Sequence, residues 1–162
     1  MAIICIELTN SDWIELIGII INSLLAIWIV VTIQSNLNNR RVLKDHFICE
    51  IKNIRDAYKN QLSIIYSEKC VPQDMIPWFK LMNIKINDIM KIISKRYKID
   101  IKKLEPYQLE LRNIVTENED FISQFKKNEP MKISSQFKND LIKFQQTNNY
   151  IFNDLIILIN DH

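Results

Sequence analysis

Six basic residues crowd into the thirteen positions of "KIISKRYKIDIKK", residues 91–103: Lys91, Lys95, Arg96, Lys98, Lys102 and Lys103, with Tyr97 among them. Upstream, Lys80 and Lys85 belong to the same expected helix, near Trp78. Cationic side chains hold phosphate and a neighbouring aromatic stacks a base, so this cluster has the chemistry for a nucleotide or short single-stranded oligonucleotide. A basic face of this kind also suits an anionic lipid surface, or stands simply as a solvated side of a helix. The charge is localised. Residues 36–104 carry fifteen Lys and Arg against seven Asp and Glu, whereas the segments before and after are each net acidic, for an overall +2.

Catalytic motifs are scarce. There is no glycine-rich phosphate loop, no CxxC, no HExxH and no GxSxG. Cys5, Cys49 and Cys70 are an odd number without metal-ligand spacing, and read as reduced structural thiols. Neither a metal nor a cofactor is expected. Of two histidines, His162 is the last residue given and His46 closes "RVLKDH", residues 41–46. That stretch resembles the R-x(4)-H motif of the HEPN ribonucleases, a helical family. The resemblance implies that Arg41 and His46 would be an RNA-cleaving pair. It covers six residues, and the polar residue usual after the arginine is Val42 here.

The elements that must position these residues begin with an apolar run. "LIGIIINSLLAIWIVVTIQ", residues 16–34, contains no Lys, Arg, Asp, Glu or His. A helix rises ~1.5 Å per residue, so a ~20-residue run crosses a ~30 Å hydrocarbon layer. Trp13 stands where an interfacial aromatic belongs. The residues before the run are acidic (Glu7, Asp12, Glu15) and no small-x-small pattern follows, which argues against a cleaved signal peptide. Arg40, Arg41 and Lys44 follow the run and no base precedes it, so the positive-inside rule sets the C-terminal part in the cytoplasm. The expectation is residues 1–12 as a short external tail, 13–34 as a transmembrane helix and 35–162 as a cytoplasmic domain. A bacterial inner (cytoplasmic) membrane is the expected home, crossed once.

Glycine occurs once, at Gly18, and proline four times. So little turn chemistry argues for an all-α fold of long helices. Leu43, Phe47, Ile51, Ile54, Tyr58, Leu62 and Ile65 recur at a mean step of 3.67, a helical stripe uninterrupted from the membrane segment to about Glu68. The prolines then divide the rest. Helices are expected over about 37–68, 74–98, 105–127 and 134–160, the second capped by Asp74, which makes a cytoplasmic four-helix bundle. The expected core faces are Phe79, Met82, Ile86, Ile89, Ile93 and Tyr97; Tyr107, Leu111, Ile114, Phe121 and Phe125, with Asn118 as the exception; and Phe137, Leu141, Phe144, Ile151, Leu155 and Leu158. "LIILI" at 155–159 is apolar around much of its helix, as a central element or a subunit contact would be.

Within the membrane run, Glu15, Gly18, Asn22 and Ala26 fall at helical steps on one side. Small residues permit close approach of helices, and an amide can hydrogen-bond between them. A single-pass chain has no second span, so the expected partner is another copy, in a tetramer or similar ring. A ring of Asn22 with Glu15 at the external mouth would suit a cation-preferring pore; an inert dimer seam uses the same residues.

A short tail, one span with a polar stripe and a small basic helical domain resemble, in organisation, the small membrane effectors of bacterial antiphage signalling. These include the Hailong effector, controlled by DNA oligomers, and the type III CRISPR membrane effectors, controlled by cyclic oligoadenylate. The resemblance implies a non-enzymatic pore gated by an anionic nucleotide, serving abortive infection, with a signal-producing nucleotidyltransferase encoded nearby. The other expectations kept open are the membrane-tethered ribonuclease and a scaffold subunit of a larger membrane complex.

Overall fold

Few places to turn leave the backbone one choice, and every element in the computed structural model is a helix. The structure describes residues 10–161, which form α1 (Asn10–Tyr66), α2 (Pro72–Tyr97), α3 (Glu105–Thr116), α4 (Glu119–Gln124), α5 (Ser135–Asn148) and α6 (Tyr150–Asp161), with no strand among them. Cys5, Glu7, most of the expected external tail and His162 lie outside the described residues. The chain divides into two units, one ending at Leu43 and the other starting at Lys44.

In the first unit, α1 carries the apolar run. Every side chain from Ser11 to Val42 is exposed within the chain, Gly18 alone being half-buried. Trp13, Ile20, Leu24, Trp28 and Val31 are 49–64% exposed. Burying one large aliphatic side chain is worth ~1.5–3 kcal/mol, so a helix this apolar needs surroundings that are not water. An 18-residue window reaches a mean hydropathy of 2.6 with none of it buried. The helix is long and apolar enough to span a membrane, and its run is not the core helix of this chain. "SNLNN" at 35–39 is helical in spite of its weak formers.

The second unit is built on the stripe of α1. Phe47, Ile51, Ile54, Tyr58, Leu62 and Ile65 are all at most 2% exposed. From α2, Met75, Phe79, Met82, Ile86, Ile89, Met90, Ile93 and Tyr97 join them. Tyr107, Leu111 and Val115 of α3, Phe121 of α4, Phe137, Leu141 and Phe144 of α5, and Phe152, Leu155 and Ile159 of α6 add to it, and Cys70, Ile99, Leu104, Met131 and Ile133 of the connections complete the core. Tyr58 sits among rings, its centroid 5.1 Å from Tyr107 and 5.3 Å from Trp78, both edge-on. Offset aromatic pairs of this kind add ~0.5–1.5 kcal/mol beyond the area they bury.

With glycine absent from the turns, other residues take the left-handed conformation. α1 ends in a Schellman motif: Glu68 adopts φ 56°, its N–H donates to the Ile65 carbonyl at 2.9 Å, and Lys69 N–H donates to Ile64 at 3.1 Å. Lys98 closes α2 by the simpler αL motif at φ 55°, with a single bond from its N–H to the Ser94 carbonyl at 2.9 Å. The start of α2 differs from the expected Asp74 cap. Val71 is the N-cap and Pro72 the first helical residue, where proline's missing N–H is harmless. Asp74 lies inside the first turn, where its charge favours the helix dipole.

Two of the expected helices are each broken in two. The stretch 105–127 divides at Asn118, whose side chain accepts the Asp120 N–H at 2.9 Å and so caps α4. The polar residue that interrupted the stripe is a helix start. Val115, rather than Ile114, is accordingly the buried residue before it. The stretch 134–160 divides at Asn149, and the turn there advances the apolar face by one residue. Phe152 and Ile159 are buried where Ile151 and Leu158 were expected, and those two are half-buried. Between α4 and α5, Gln124 holds the Lys132 backbone at both ends, donating to its carbonyl at 2.8 Å and accepting its N–H at 3.0 Å. Ser134 caps α5 by accepting the Phe137 N–H.

Candidate anion-binding surface

The end of α2 and the connection to α3 carry the basic cluster. Lys91, Lys95 and Arg96 are exposed on the last two turns of α2, and Lys98 is exposed just beyond them. Lys95 and Arg96 occupy the last turn, where cations complement the carbonyl end of the helix dipole for ~0.3–1 kcal/mol each. The same orientation leaves their charge in solvent, open to a phosphate.

The remaining members are differently engaged. Lys102 is 3.6 Å from the Glu105 carboxylate, with its side chain 74% exposed. Lys103 is half-buried, its Nζ 2.7 Å from Asp154 of α6. This ties the α2–α3 connection to the last helix, so the ammonium is already matched by a carboxylate. Tyr97, expected as a stacking aromatic, is a core residue at 7% exposure. Burial pushes its phenol above the usual range, with Arg96 offsetting part of that. Upstream, Lys85 pairs with Glu50 at 3.5 Å. Lys80 is exposed and Trp78 half-buried against Tyr58 and Phe79. The exposed set is therefore Lys91, Lys95, Arg96, Lys98 and Lys102, a basic surface without a stacking ring of its own.

Sequence reasoning passed over one polar residue. Gln108 is the single buried polar side chain among the described residues, at 7% exposure. Its amide donates to the Phe79 carbonyl at a long 3.5 Å. The signal was present: Gln108 adjoins Tyr107 on the side of α3 that an apolar residue would fill.

Arg41 and His46 are both exposed. No group of three metal-ligating side chains gathers among the described residues. Tyr58 and Tyr107 have phenols pushed well up, Tyr58 by burial and then Tyr107's charge, Tyr107 by burial and then Tyr66's. Both hydroxyls stay neutral at ordinary pH, which suits packing and not proton transfer. Cys70 is buried, and burial followed by Asp74's charge raises its thiol to about 11. Cys49 is exposed.

On α1, Glu15, Asn22 and Ala26 are exposed and Gly18 half-buried. A Cβ added at Gly18 would meet nothing within 4 Å. Its own chain does not require the glycine. Compared with protein-family models, curated proteins and solved structures, this chain matches none.

Proposed function

We propose that this protein is a membrane-anchored effector whose copies assemble through the N-terminal span into a ring-like pore. On this reading the chain crosses a bacterial cytoplasmic membrane once, N-terminus outside. Its helical domain faces the cytoplasm and senses an anionic nucleotide or short oligonucleotide. The carrying observation is that the apolar run of α1 has no cover from its own chain, so lipid and other copies are its natural surroundings. Gly18 supports self-association, because nothing inside the chain needs it small. The exposed bases around the end of α2 supply the anion chemistry, and antiphage defence is the role in which such a pore would act. No step requires a nucleophile or a metal.

The experiment is reconstitution. Full-length protein in liposomes should release a trapped ion, and a nucleotide or oligonucleotide should change the rate, with a response that weakens as salt rises. Liposomes that stay sealed with and without such ligands would remove the pore. A salt-independent response would remove the electrostatic sensor.

A further inference from the structure

A groove of about 430 Å³ runs between α2 and α3, separate from the solvated bases at the end of α2. Its floor is Phe79 and Ile86, each 3% exposed, together with the buried Gln108. On one side the exposed amides of Asn83 and Asn87 lie one turn apart, Asn87 donating to Asn83 at 3.1 Å. Around the rim stand three cations, Lys80, Lys102 and Arg112, against one carboxylate, Glu105. Lys80 has no ion-pair or hydrogen-bond partner among the described residues.

Small-molecule sites combine an apolar floor with a few convergent polar groups in a cleft of ~300–1,000 Å³. This groove has that composition, and its polar groups fall into two kinds. Amides read the donor and acceptor edge of a heterocycle. Ammonium and guanidinium groups hold phosphate, the guanidinium in a planar fork. A flat ring would lie on Phe79 and Ile86, with its edge toward Asn83 and Asn87. A phosphate would then reach the rim cations. Gln108 fits the same picture, since its buried amide makes one long bond and lies at the groove floor.

We infer that the α2–α3 groove is a binding site for a nucleoside phosphate, held by its base on the amide side and by its phosphate at Lys80 and Arg112. The inference rests on the proposed nucleotide response and gives it a seat, making Lys91, Lys95, Arg96 and Lys98 an outer attraction and not the site. A molecule of mononucleotide size suits the groove, and the exposed surface bases would serve any longer chain extending from it.

The test uses full-length protein in detergent micelles, titrated calorimetrically with AMP, GMP, CMP and UMP. The matching nucleosides and inorganic phosphate serve as half-ligands. At least one nucleotide should bind, with its nucleoside and phosphate each at least tenfold weaker. Arg112→Glu should weaken that nucleotide at least tenfold, and Asn83→Trp, which fills the groove from an exposed position, should abolish binding. Lys95→Glu/Arg96→Glu, which reverses only the outer attraction, should weaken it less than Arg112→Glu does. If the pattern is reversed, the groove is wrong while the proposed sensor surface survives. Binding of phosphate as tight as that of any nucleotide would overturn the base-reading role. Absence of binding by every probe would overturn the groove outright, and the liposome assay would still decide the pore.

Discussion

The ring of Tyr97 meets that of Phe47 edge-on, with centroids 5.8 Å apart and planes at 89°. An aromatic that stands in the middle of a basic sequence is therefore a joint between α1 and α2. Tyr97→Ala should lower the stability of the folded protein by ~3 kcal/mol, the scale of emptying a buried aromatic site, while Tyr97→Phe should cost under ~1 kcal/mol. Denaturant titration of both variants reads this. Nucleotide affinity of Tyr97→Phe should equal that of the wild type; a large loss would restore a stacking role to the ring.

Lys98 separates a backbone role from an electrostatic one. Its left-handed φ of 55° costs an L-residue ~1–2 kcal/mol that glycine does not incur, against a larger entropy for glycine in the unfolded chain. Lys98→Gly should therefore leave stability unchanged or raise it by up to ~1 kcal/mol. Lys98→Ala should not gain. Equal thermal midpoints for the Gly and Ala variants would show that the turn is not strained.

Asn118 and Ser134 are the side-chain caps that make α4 and α5 separate helices. Replacing either by Ala should cost ~1 kcal/mol, with Asn118→Asp close to neutral. Amide exchange should report the loss at Asp120 for the first variant and at Phe137 for the second, since those N–H groups lose their acceptors.

Much of this was legible beforehand. The stripe on α1 from Phe47 onward and that on α2 are buried as expected, Leu43 alone being half-buried, because two long helices let a 3.6-residue period run without interruption. The later helices were harder, since Asn118 and Asn149 stop the chain without glycine or proline. Asparagine is tolerated inside a helix as well as at its ends, so Asn118, which caps α4 through Asp120, and Asn149, which ends α5, carry no distinguishing local signal. In the candidate site, the sign and position of the charge were readable, but not which cations are already spent. Lys103 is paired with a residue 51 positions away, Asp154, and no local pattern announces that.

Cys70 gives a pH signature. Its thiol is raised from the ordinary 9.0 to about 11, chiefly by burial, so the folded state holds the proton longer than the unfolded state. Its contribution is complete below pH 9 and is lost as pH rises toward 11. The wild type should lose stability over that window more steeply than Cys70→Ala, as read by denaturation midpoints at pH 8 and pH 10.5. Under native conditions at pH 8, a thiol reagent should modify exposed Cys49 well before Cys70.

The central claim is that the span of α1 lines a conducting path, and Asn22 is the residue on which it turns. If copies meet at Asn22 as proposed, Asn22→Leu removes an interhelical hydrogen bond worth ~0.6–2 kcal/mol and replaces a wettable ring with an apolar constriction. The decisive measurement is ion leak from liposomes carrying wild type or Asn22→Leu, with oligomer mass measured on the same preparations. The account predicts unchanged mass and a leak reduced at least tenfold. Equal leak at equal mass would contradict it and leave α1 as an anchor alone.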